Sequence, residues 1–139
     1  MPKGIKQVSA GGACDSFVAD AVNQIPEGSE TVLGGLADAI PPHRAGKYIV
    51  KGGGGADLMT LGAPNAGDSV AGGDDGKEIL VISQQASAHT ITFTGGTAQD
   101  GAGHTTTATF AAQLGASIWL SAYQGKWVVI LLQGVTMTA

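Results

Sequence analysis

A chain of 139 residues with 43% hydrophobic and 13% charged side chains is long enough for one domain with a real core and too apolar for intrinsic disorder. Net charge is −4, and the seven basic residues are scattered except for Arg44, Lys47 and Lys51, so no basic face is offered to nucleic acid. Cys14 stands alone, which excludes an intramolecular disulfide. The 23 glycines and 5 prolines follow no G-x-y period, which excludes collagen and favours many strands joined by tight turns.

The segment from Met1 to Ile5 has no apolar signal core, and no run approaches the ~18 apolar residues of a membrane span. The expectation is a protein made and folded in a reducing cytoplasm, with no membrane contact. Composition then changes near residue 46. Residues 1–45 are expected to form an irregular or partly helical N-terminal arm, and residues 46–139 an antiparallel β domain. Within the arm, Asp15 is placed to cap a helical turn carrying Phe17, Val18, Ala21, Val22 and Ile25 at three- and four-residue spacing. Pro26 and Gly28 end it. A second helical candidate runs from Ser29 to Ile40, interrupted by Gly34 and Gly35 and stopped by Pro41 and Pro42. An extended arm is the competing reading of both.

From Gly46 onward the pattern is β. Lys47–Val50 predicts a short strand closed by the run Gly52 to Gly55. Asp57–Leu61 predicts another, with Met59 and Leu61 on one face, before a Gly- and Asp-rich loop from Gly62 to Gly76. Glu78–Ser83 is apolar on both faces, as in a central strand. His89–Thr94 alternates His89, Ile91 and Phe93 against three threonines, the clearest strand signal in the chain. Thr105–Ala112 follows, then Ser117–Tyr123 and Lys126–Gln133 around Gln124 and Gly125, a two-residue hairpin connection. Close-spaced short strands without intervening helices predict an antiparallel sandwich or a jelly-roll-like barrel, a mainly β fold.

Motifs for chemistry fail at named residues. Gly72 to Glu78 has one residue too few for a phosphate loop, and Glu78 stands where a Ser or Thr must hold magnesium. Asp74 and Asp75 lack the spacing of a calcium loop and read as surface aspartates. His89, His104 and Cys14 are not at zinc spacing, and His89 reads as a hydrogen-bonded core or interface histidine. Cys14 has no positioned histidine to activate it and reads as a buried or incidental thiol. There is no G-x-S-x-G elbow and no paired-carboxylate constellation. The expectation is no enzyme, no catalytic residue, no metal and no cofactor. In the final hairpin Trp119, Ser121 and Tyr123 share one face, and Ile118, Leu120 and Ala122 the other. Either the aliphatic face is core and Trp119 and Tyr123 are free for a partner protein or sugar ring, or both faces are covered, the second by the arm or a subunit.

The block from Gly76 to Val135 carries Asp75-Gly76-Lys77 before an Ile/Val-rich strand and Ala88-His89-Thr90-Ile91-Thr92. Thr109-Phe110 follows, then Gly115, Ser117, Ile118, Leu120 and Ala122, and lastly Tyr123, Gly125, Lys126 and Trp127. This block resembles the β modules of tailed-bacteriophage virion proteins, among them capsid decoration (cement) proteins. The resemblance implies a virion structural protein on the capsid surface, assembled in the host bacterial cytoplasm. Its implied partners are the major capsid protein and further copies of itself, as a homodimer or homotrimer. Candidate interaction residues are Phe17, Val18 and Val22 in the arm and Trp119 and Tyr123 on the body. Deleting residues 1–24 is then expected to abolish capsid binding while leaving the β body folded. A tail or fibre protein recognising host-surface glycan through Trp119 or Tyr123 is the alternative. A small enzyme, recognisable by a deep polar pocket with His89 or His104 beside a carboxylate, is a third.

Overall fold

The computed structural model describes residues 30–51 and 53–139; the candidate helix at residues 15–25, with Phe17, Val18 and Val22, and the thiol of Cys14 lie outside the described residues. Eleven strands follow in chain order: β1 (Glu30–Leu33), β2 (Ala39–Ile40), β3 (Gly46–Val50), β4 (Leu58–Leu61), β5 (Glu78–Ser83), β6 (Thr90–Phe93), β7 (Ala98–Gln99), β8 (Thr107–Phe110), β9 (Ser117–Tyr123), β10 (Lys126–Gln133) and β11 (Val135–Thr138). They form a six-stranded sheet in the order β1-β3-β5-β9-β10-β7 and a five-stranded sheet in the order β11-β8-β6-β4-β2. The protein is therefore mainly β, with no helix among the described residues.

From β1 to β6 the chain alternates between the sheets, and each return lands parallel on the strand before it. Glu30 pairs with Lys47 and Lys47 with Leu80 in the large sheet; Ile40 pairs with Leu61 and Leu61 with Phe93 in the small sheet. The result is a flattened coil of three turns. A parallel pair needs a long crossover, usually a helix. Here a strand of the opposite sheet supplies it, so parallel pairing arises without helices. The fully antiparallel domain expected from the sequence is corrected on this point, because both sheets are mixed. Antiparallel pairing is confined to β5-β9, β9-β10, β6-β8 and β8-β11, and β7 joins β10 in parallel.

The second helical candidate, over 29–40, is also corrected: its described part supplies a strand to each sheet. Gly34 and Gly35 fall in the turn between β1 and β2, where they are no penalty, and Leu33 and Ile40 are buried in the core. Residues from Glu30 onward thus belong to the β body.

One core lies between the sheets. Period-two alternation puts Ile79 and Val81 of β5, Ile118, Leu120 and Ala122 of β9 and Trp127 of β10 against Met59, Leu61, Ile91, Phe93 and Phe110 of the small sheet. Each such side chain, fully buried, contributes roughly 1.5–3 kcal/mol. The indole of Trp127 donates to the carbonyl of Gly62 at 2.8 Å, so its one polar atom is satisfied inside the core. The β9–β10 hairpin turns on Gln124 (φ 49°) and Gly125 (φ 78°), the pair of left-handed residues a tight hairpin requires. Asp75 fixes the turn by accepting from the Gln124 backbone and side-chain amides at 2.8 and 2.9 Å.

Candidate functional site

Burying the aliphatic face of β9 turns its other face outward. Trp119 is 38% exposed and Tyr123 61%, so the aliphatic face of β9 is the core face and no described strand covers the other. The two predicted residues share the outer face of the large sheet. Register extends that face into a row: Glu30, Lys47, Leu80, Trp119 and Leu131 are successive partners across β1, β3, β5, β9 and β10. A second row holds Val32, Ile49 and Ile82. A bulge in the β9–β10 ladder between Trp119 and Leu120 leaves Ile130 as the extra residue, and with it Leu131 and Leu132 project into solvent. β-bulges re-aim side chains in this way. Sequence reading found Trp119 and Tyr123 by alternation but not Val32, Ile130 or Leu131, because an unbroken apolar run such as Trp127 to Leu132 does not declare which members face out.

Between β3, β5 and β9 this face dips into an apolar cleft of about 170 Å³ lined by Gly46, Lys47, Glu78, Leu80 and Trp119. The ammonium of Lys47 pairs with Glu30 at 3.1 Å. Both ends are solvated, so the pair adds little stability. What the surface offers is apolar area around a tryptophan with charges at its rim, the composition of an association site.

A second, more open cleft of about 520 Å³ lies beside β7, lined by Gln99, Asp100, His104, Thr105 and Val128 among others. Asp100 Oδ1 accepts from the backbone amides of Ala102 and His104 at 2.8 and 3.0 Å, and Oδ2 lies 2.7 Å from His104 Nδ1. The Ala102 amide and the His104 side chain and amide together outweigh desolvation and hold the Asp100 carboxyl down at about 2. An aspartate beside an imidazole recurs in triads; among the described residues no hydroxyl or thiol is hydrogen-bonded to His104. The carboxylate instead closes its own loop by side chain-to-backbone bonds.

Two polar assemblies shape the rest of the body. Asp38, Asp57 and His89 each follow an alanine and immediately precede β2, β4 and β6. The Gly35 amide donates to Asp38 Oδ2 at 3.0 Å, the Asp38 amide to Asp57 Oδ1 at 3.0 Å and the Asp57 amide to His89 Nδ1 at 2.9 Å. With Nδ1 accepting, Nε2 carries the proton and faces the Gln85 carbonyl at 3.3 Å. Burial lowers the pKa of His89 against the opposing pull of that carbonyl, so the ring is neutral, packed edge-on to Phe110 at 6.4 Å. This agrees with the core histidine expected from the sequence. Burial and the neighbouring Asp38 carboxyl push Asp57 up to about 6. The ladder binds turn to turn along one corner of the coil. Its sequence signal is Ala-Asp, Ala-Asp, Ala-His before three neighbouring strands of the small sheet, a repeat that unequal loop lengths conceal.

The second assembly corrects the reading of Asp74 as a surface aspartate. Its side chain is 3% exposed. It accepts from the Asn65 amide at 2.7 Å and Lys77 Nζ at 2.8 Å, with His43 Nδ1 at 2.7 Å. Desolvation raises its pKa, but Lys77, the Asn65 amide and His43 together outweigh it and bring it to about 2. Asp74 therefore fastens the long loop before β5 to the turn before β3. Among the described residues no three His, Cys, Asp or Glu side chains cluster to hold a metal ion, and no helix is long and apolar enough to cross a membrane. No protein-family model matches the chain, and a search of curated proteins finds no match.

Proposed function

We propose that this chain is a virion structural protein that binds the outer surface of a tailed-phage capsid and stabilises the shell, acting by association and not by catalysis. The observation that carries the reading is the apolar outer face of the large sheet, with Trp119 at its centre. Resemblance of the segment from Gly76 to Val135 to phage virion modules points the same way. Its partners are the major capsid protein and further copies of the chain, and it acts on the capsid surface after assembly in the host bacterial cytoplasm. Residues 1–24, with Phe17, Val18 and Val22, are the shell-contact segment, because they precede the β body and carry apolar side chains at regular spacing. Many symmetric copies multiply individually weak contacts.

Rebinding to capsids stripped of the protein tests this. The double substitution Phe17→Asp, Val22→Asp is expected to cut occupancy severely with the thermal melt of the body unchanged, whereas full occupancy of the variant would refute the assignment. One observation favours a second reading: the cleft beside Trp119 is rimmed by Lys47 and Glu78, and an aromatic face with charged neighbours also suits a sugar ring. On that reading the chain is a tail or fibre protein recognising host-surface glycan. A glycan array in which Trp119→Ala abolishes a positive signal would favour it over the capsid.

A further inference from the structure

We propose that a second copy of this chain covers the outer face of the large sheet, packed about a two-fold axis at Trp119, with Leu131 of each copy seated in the cleft of the other. Leu80, Trp119 and Leu131 are register partners across β5, β9 and β10. The cleft lies on the β3–β5 side of Trp119, and the projecting side chains Ile130 and Leu131 lie on the β10 side. A half-turn about Trp119 exchanges the two sides, so each projection meets a cleft. An isologous interface demands this self-complementarity.

Size and charge agree with that occupant, and the overlaid area sets its strength. The cleft measures about 170 Å³, and the four side-chain carbons of a leucine, at about the ~30 Å³ of a liquid water each, fill most of it. The outward charges of these strands are Glu30 and Glu78 against Lys47 and Lys126, so two copies can meet here without the repulsion a chain of net charge −4 otherwise brings. A two-fold on β9 overlays the five strands from β3 to β7, and at ~4.8 Å spacing with a β9 of ~23 Å these give a flat footprint of about 440 Å², the size of a small, weakly associating interface. Trp119 on the axis would be the buried aromatic anchor such an interface concentrates its energy on. This inference does not depend on the capsid reading.

The full chain in solution is the material for the test. Light scattering coupled to size exclusion is expected to give twice the 13.8 kDa chain mass. Leu131→Glu, at a half-exposed position, is expected to raise the dimer dissociation constant about tenfold or more while leaving the far-UV circular dichroism spectrum of the fold unchanged. Val70→Glu, in an exposed loop, is expected to leave the dimer intact. Ser121→Cys in a Cys14→Ser background, two residues from the axis on the same face, is expected to cross-link to a dimer with a short bis-maleimide. A monomeric full chain, an oligomer other than a dimer, a dimer indifferent to Leu131→Glu, or no cross-link in a Ser121→Cys variant that remains dimeric would each overturn the proposal. Because mass is read on free protein, any of these results leaves the capsid reading standing.

Discussion

Replacing Asp74 with asparagine keeps the shape of the side chain and removes its charge from three partners. The carboxyl sits at about 2 in the folded chain against an ordinary 3.8, and each unit of such a difference corresponds to about 1.4 kcal/mol. Lys77 and His43 reach solvent at their far sides, so screening reduces the gain, and about 1–2 kcal/mol is the expected loss at pH 7. For a domain of this length that is a fall of roughly 4–8 °C in melting temperature. The pH dependence follows from the sign. A depressed carboxyl contributes stability that is complete above its unfolded pKa and disappears as pH falls through its folded one. Urea melts of both proteins at pH 7, 4 and 2 should therefore show a gap that persists to about pH 4 and closes near pH 2. Equal stability at pH 7, or a gap that survives at pH 2, would refute the role given to this carboxylate.

Three further outcomes are expected. Asp57 titrates the opposite way: raised to about 6, it contributes stability that is complete below about 4 and is lost as pH rises through 6. Asp57→Asn should therefore match or exceed the native chain in urea melts at pH 8 and lose that advantage by pH 4. Gly73→Ala should destabilise by about 2 kcal/mol or more in the same assay, because its Cβ would fall on the backbone of Gly67 and main chain cannot give way as a side-chain tip can. On the proposed arm-mediated attachment, deleting residues 1–24 should end sedimentation with capsids while leaving circular dichroism and the melt of the β body intact. A collapsed melt would instead assign those residues to the fold.

How much of this was legible in the residues depends on the interaction that decided each part. Three strands could be read directly: Glu78–Ser83, Ser117–Tyr123 and Lys126–Gln133 have the predicted boundaries, because apolar β-branched and aromatic runs stop where polar and glycine turns begin. Strand direction could not be read, because Ile40, Leu61 and Phe93 stack in parallel only after the chain has crossed to the other sheet and back. β1 and β2 were hidden by residues that also satisfy a helical spacing, and the pairing of Glu30–Leu33 with Lys47–Val50 overrode that local preference. Asp74 was misread for a related reason: an aspartate in a Gly-rich loop looks solvated until Asn65, His43 and Lys77 are brought onto it. At the candidate surface, alternation placed Trp119 and Tyr123 together, whereas Ile130 and Leu131 owe their exposure to a bulge that no residue pattern announces.

The proposed association with a phage capsid is tested by cryo-electron microscopy of phage particles purified from the source of the chain. The account predicts density for the two-sheet body at regular positions on the outer capsid surface, with residues preceding Glu30 running onto the shell. Density at the tail or fibre tips, or a mature virion that lacks the protein, would contradict it.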